Sequence, residues 1–126
     1  MSEAVRTLLV VDDSPEDRAM VRRLLRGSSP PYAVVEAETA GEALDRFRAS
    51  VPDLVLLDFH LPDREGLEVL AALARGGRPL PVPVVMLTGH GDDEIASAAL
   101  NGGAQDYVIK GSLTARQTGI DGGQNA

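Results

Sequence analysis

The 126-residue chain predicts an α/β domain built on a parallel sheet with helices on both faces. Three observations carry this. The apolar runs Leu8 to Val11, Leu54 to Leu57 and Val84 to Leu87 are continuous instead of alternating, as strands buried on both faces require. Between such runs lie stretches whose apolar residues recur at helical spacing. Short clusters of Gly, Pro, Asp and Ser separate the two kinds of segment.

The first strand, Leu8 to Val11, closes on Asp12 and Asp13. Ser14-Pro15-Glu16-Asp17 then offers an N-cap hydroxyl, a proline at the first helical position and acids in the first turn. Met20, Val21, Leu24 and Leu25 supply the buried stripe of this helix, and Gly27 stops it. Tyr32 to Ala37, rich in β-branched residues, is the second strand. Ala40, Ala43, Leu44 and Phe47 share one helical face, giving a second helix that ends before Pro52.

The third strand runs from Asp53 to Asp58, and a loop with Pro62 and Gly66 leads into a helix with the stripe Leu67, Leu70, Ala71 and Ala74. Gly76-Gly77-Arg78-Pro79 ends it. Val84 to Leu87 is the fourth strand, closing on Thr88. Ile95, Ala98 and Ala99 mark an Ala-rich fourth helix reaching Gly102-Gly103, and Tyr107-Val108-Ile109 is a fifth strand closing on Lys110. From Gly111 onward only Leu113 and Ile120 are sizeable apolar residues, and Gly119, Gly122 and Gly123 oppose a helix. A final covering helix is therefore expected to be short or missing.

The length suits one domain with a single core. With Tyr32, Phe47, Phe59 and Tyr107 as the only aromatics, that core must be built from Val, Leu, Ile and Ala. A net charge of −7 and the absence of any Lys/Arg-rich tract argue against direct contact with nucleic acid. The chain has no cysteine, which excludes disulfides and thiolate metal sites and makes the cytoplasm the default expectation. No stretch approaches the ~20 apolar residues of a membrane span, and Leu8 to Val11 is too short for a signal-peptide core.

The strand ends carry the chemistry. Asp12, Asp13, Asp58, Thr88 and Lys110 each follow or close an apolar strand at its carboxyl end, the edge where open parallel sheets bind ligands. If the first and third strands are neighbours, all five side chains converge. Three carboxylates in close proximity need a cation, and an oxygen set without His or Cys suits a hard ion such as Mg²⁺. Lys110 and Thr88 add a positive charge and a hydroxyl suited to phosphate oxygens. Asp58, the lone carboxylate facing them, is then the candidate nucleophile for an aspartyl phosphate, with Asp12 and Asp13 holding the metal.

Together these residues resemble the receiver domain of two-component response regulators. The likeness covers roughly residues 5 to 112 and rests on the pair Asp12-Asp13, Asp58 within Leu56-Leu57-Asp58, the pattern Leu61-Pro62 to Gly66, Thr88-Gly89, and Lys110 three residues after Tyr107. It implies a flavodoxin-like doubly wound five-stranded parallel sheet of order 2-1-3-4-5, comprising residues 1–112, with residues 113–126 a truncated or disordered tail in place of a full fifth helix. It further implies phosphorylation of Asp58 by a histidine kinase or histidine phosphotransfer protein. Mg²⁺ would be bound by Asp12, Asp13, Asp58 and the main-chain carbonyl of His60, and Thr88 and Tyr107 would act as switch residues. The output would be an unknown downstream protein or a fused output domain, with a homodimer as one form. Gly111 stands where many family members have proline, so the approach of the lysine is less constrained.

Blander readings exist for each residue alone. Asp12-Asp13 suits a helix cap, Lys110 a surface lysine, Thr88 a turn, and Tyr107 a static core aromatic. His60 and His90 read as exposed loop residues, since nothing pairs them at metal-ligand spacing. In receivers, however, their positions influence phosphate lifetime. Two other functions compete with the receiver. A Mg²⁺-dependent phosphatase of haloacid dehalogenase type would need an acid two residues after its nucleophile, where this chain has His60, and an FMN binder would need a phosphate cradle where the first loop is acidic. No G-x-G-x-x-G or P-loop pattern is present.

Overall fold

The strands form one five-stranded sheet in the order β2-β1-β3-β4-β5, every neighbouring pair parallel. They are β1 (Arg6–Val11), β2 (Tyr32–Ala37), β3 (Leu54–Asp58), β4 (Val84–Thr88) and β5 (Asp106–Ile109). Among the described residues four helices accompany them: α1 (Pro15–Leu25), α2 (Ala40–Ala49), α3 (Gly66–Ala74) and α4 (Asp93–Asn101). This is the expected doubly wound α/β architecture. The computed structural model describes residues 4–28, 31–74, 80–89 and 93–110, apart from the side chain of Asp93. The expectations for a short final helix and for the tail from residue 113 fall outside them, as do those for His90 and Gly111.

Two-sided burial explains the uninterrupted apolar runs. Leu8 and Val10 pack with Val21 of α1, whereas Leu9 and Val11 join a larger core with residues of α2, α3 and α4. Leu8, Leu9, Val10 and Val11 are all at most 3% exposed, so each contributes about 1.5–3 kcal/mol of burial. Polar alternation on either face of β1 would forfeit half of that.

Local chemistry sets the helix starts. Ser14 caps α1 by accepting from the Asp17 N–H at 3.1 Å, with Pro15 behind it, and Gly27 leaves the helix at φ +78°, a conformation open to glycine. Thr39 caps α2 by accepting from the Glu42 N–H at 3.0 Å, while the Glu42 carboxylate reaches back to the Glu38 N–H at 2.7 Å. Asp63 reinforces this end from the β3–α3 loop, its carboxylate accepting from Ala40 and Gly41 N–H at 2.8 and 3.0 Å. Those donors hold the Asp63 carboxyl below its usual range.

Two helical stripes differ from expectation. On α1, Met20, Leu24 and Leu25 are half-buried, and the inward face buries Arg18 with Val21. On α3 the buried face is Gly66, Val69 and Leu70, while Ala71 is exposed. Alanine fits a core or a surface almost equally well, so the alanines of α3 do not fix its rotation, and the larger Val69 takes the core position.

Candidate functional site

The chain runs from β1 to β2 on one side and later to β3 on the other, so the strand order reverses between β1 and β3. Val11 pairs with Leu57, which puts Asp12 and Asp58 at the next matching step of neighbouring strands. Asp58 in turn pairs with Leu87, and Thr88 with Ile109, so Thr88 and Lys110 follow one strand further on. The sheet register alone gathers residues that lie up to 98 positions apart in sequence (110 − 12).

Carboxylate oxygens of Asp12, Asp13 and Asp58 lie within 4.8 Å of one another. Asp12 and Asp58 are 1% and 6% exposed, and Asp13 opens to solvent. Asp12 Oδ1 accepts from the Ser14 N–H at 2.9 Å. Its buried Oδ2 meets the Lys110 ammonium at 2.8 Å as a charge contact and takes no hydrogen bond. A buried carboxylate oxygen whose contact with Lys110 is a charge contact without a hydrogen bond, beside two further acids, fits a hard divalent cation, whose charge would compensate all three.

Asp58 has its pKa pushed up to about 6, first by burial and then by the negative charge of Asp12, against the opposing pull of Lys110 and the His60 N–H. Lys110 Nζ stands 3.5 Å from Asp58 Oδ2 and 2.8 Å from Asp17 Oδ2. Burial would lower the lysine's pKa, but its contacts with Asp12 and Asp17 and the charge of Asp58 carry it above the usual value. The ammonium is therefore fixed as a cation.

The loop after the acceptor is tightly folded. Phe59 N–H donates to the Leu87 carbonyl at 2.8 Å, Gly66 N–H to the Phe59 carbonyl at 2.6 Å, and His60 and Glu65 form an isolated antiparallel bridge. A Cβ on Gly66 would lie 2.3 Å from the Asp58 carbonyl oxygen and 3.1 Å from Phe59 Cα, so only glycine lets α3 start this close to the acceptor. His60 N–H lies 3.4 Å from Asp58 Oδ1, while its exposed ring contacts Glu65 at 3.0 Å. Thr88 is buried, and Tyr107 is half-buried against the large core.

Two residues of the site were not anticipated. Arg18 donates to the Asp12 carbonyl at 2.7 Å and to Glu36 at 2.5 Å, and also faces Glu38 at 3.5 Å, tying β1 to β2 directly beneath the acids. Arg22 shares Glu36 with it. The helical spacing of Arg18 to Val21 and Leu25 is the signal in the sequence, an arginine lying in line with an apolar stripe. Asp17 as a partner of Lys110 had no such signal, because acids in a first turn are accounted for by the helix dipole.

Residues 8–117 match the Response regulator receiver domain family, and the chain belongs to it. The phosphate regulon transcriptional regulatory protein PhoB of Klebsiella pneumoniae is 38% identical over 105 residues, covering 83% of this chain and 45% of that protein. The chain thus spans about half the length of the curated relatives it matches. Among solved structures, the phosphorylated cyanobacterial phytochrome response regulator RcpA superimposes with a TM-score of 0.79 at 28% identity, covering 94% of this chain and 92% of that one. The Mn²⁺-bound response regulator Rcp1 gives a TM-score of 0.78 at 25% identity, covering 92% and 91%. The family is one of signalling domains that work with histidine kinases and output domains, and the phosphatase reading finds no support. Among the described residues no helix is long and apolar enough to cross a membrane.

Proposed function

We propose that this chain is a phosphorylation-dependent switch whose acceptor is Asp58. A carboxylate oxygen of Asp58 attacks the phosphorus of a phosphohistidine on a histidine kinase or histidine phosphotransfer protein. The new P–O bond forms as the P–N bond breaks, and the bond pair returns to the imidazole nitrogen. Asp12, Asp13, Asp58 and the main-chain carbonyl of His60 would hold Mg²⁺, which supplies charge neutralisation between the acids and the incoming phosphoryl oxygens. Lys110 and Thr88 meet those oxygens, and Thr88 and Tyr107 pass the added charge, up to about −2, to the face around β4 and β5. Slow hydrolysis of the same acyl phosphate resets the domain.

The observation that carries this reading is the buried Asp58 carboxylate, within 4.8 Å of Asp12 and Asp13 oxygens and 3.5 Å from the Lys110 ammonium. The phosphorylated RcpA and Mn²⁺-bound Rcp1 structures are in keeping with it. In this reading the receiver comprises residues 1–112. It acts in the cytoplasm on a downstream protein or fused output domain, as a monomer or homodimer, without itself touching nucleic acid. The test is intact mass after incubation with acetyl phosphate or phosphoramidate and Mg²⁺. A gain of one phosphoryl group, absent in Asp58→Ala and in chelator, is expected. An unshifted wild-type mass with every donor would refute it.

A further inference from the structure

Lys110 is the only lysine in the chain, every other basic side chain except the two histidines being arginine. Its ammonium stands nearer to two other acids than to the acceptor, at 2.8 Å from both Asp12 and Asp17 against 3.5 Å from Asp58. Asp17 differs from the other three acids of the site. It lies on α1, its backbone N–H is bound by Ser14 Oγ, and its carboxylate is not part of the cluster formed by Asp12, Asp13 and Asp58. A divalent cation on that cluster would engage the Asp12 carboxylate and repel the ammonium, leaving Asp17 as the anion that still balances Lys110.

We propose that Asp17 is a retaining carboxylate, a positioning residue that holds Lys110 on the α1 side of the pocket and that an incoming phosphoryl group must displace. This rests on the acceptor reading of Asp58. Asp17 thereby sets how readily the site takes a phosphoryl group, and it couples the first turn of α1 to the phosphorylation state. Three acids compete for one ammonium before phosphorylation. Afterwards, phosphoryl oxygens at Asp58 carry more charge than any one of them and draw the lysine across the pocket.

The uniqueness of Lys110 supplies a direct readout that needs neither metal nor phosphate. Acylation of its amine by an N-hydroxysuccinimide ester, followed by peptide mass mapping, is compared in the wild type, Asp17→Asn and Glu16→Gln. Glu16 is the neighbouring exposed first-turn acid, and its variant controls for loss of helix-dipole charge. In parallel, beryllofluoride affinity is measured with Mg²⁺. Asp17→Asn should acylate faster and bind beryllofluoride up to about fivefold more tightly, the range a partly exposed ion pair supports, while Glu16→Gln should match the wild type. Equal acylation and affinity in Asp17→Asn and wild type would overturn the proposal and leave the acceptor reading standing. A wild type that binds no beryllofluoride overturns the acceptor reading. Faster acylation of Asp17→Asn in that case reduces Asp17 to a structural ion-pair partner and overturns the proposal as well.

Discussion

Replacing Asp58 by asparagine removes one negative charge from a buried cluster while keeping the shape of the side chain. In the folded protein burial and the charge of Asp12 push the Asp58 carboxyl up to about 6 from an ordinary 3.8. Its ionisation thus costs the metal-free fold up to about 3 kcal/mol. Because the folded value is raised, the favourable contribution of Asp58 is fully present below pH 3.8 and is lost as pH rises through about 6. The amide forgoes the attraction of Lys110 at 3.5 Å, but that lysine keeps Asp12 and Asp17, so a net gain of about 1–3 kcal/mol is expected at pH 8. Urea unfolding of wild type and Asp58→Asn in chelator at pH 4, 6 and 8 measures it. The gain should shrink towards pH 4. A variant no more stable than wild type at pH 8, or equally stabilised at pH 4 and pH 8, would refute the account of the cluster.

Gly66→Ala forces a Cβ to 2.3 Å from the Asp58 carbonyl oxygen, so unfolding experiments should show a loss of about 1–3 kcal/mol, together with weakened beryllofluoride binding as the acceptor shifts. Arg18→Met orphans the Asp12 carbonyl and takes one of two guanidinium partners from Glu36, costing about 1–3 kcal/mol in urea. Arg18 is also the first cause holding the Glu36 carboxyl low, a stabilisation present above the usual glutamate range and lost as pH falls, so the deficit should narrow in acid. Mg²⁺ at a hundredfold excess over its dissociation constant should stabilise the wild type by about 2.7 kcal/mol. In Asp13→Asn, thermal melts should show most of that increment gone while the metal-free stability stays within about 0.5 kcal/mol, because Asp13 is exposed.

Much of the molecule was legible in one dimension because its signals are local. Continuous apolar runs report two-sided burial wherever they occur, and Ser14, Thr39 and Gly27 act on backbone groups a few residues away. The acids were legible for a related reason: a carboxylate at the end of a dry strand stands out against the run before it. The rotation of α3 was not, since alanine fits a core or a surface almost equally well, and Ala71 proved exposed while Val69 went inward. Arg18 was hidden by the rule that arginine faces water, which fails when Glu36 and the Asp12 carbonyl together satisfy its guanidinium.

The sequence by itself determined the βα rhythm, the composition of the core and which side chains sit at strand ends. Only the tertiary structure decided that Asp12 and Asp58 are neighbours, that the Gly66 backbone runs so close to the Asp58 carbonyl that a Cβ would sit 2.3 Å from its oxygen, and that Lys110 rests between Asp12 and Asp17. The physical reason is range. Burial and capping are settled within one or two turns of chain, whereas the energy of a charge depends on every other charge within a few ångströms, and strand order together with the packing of α1 on the sheet determines which those are.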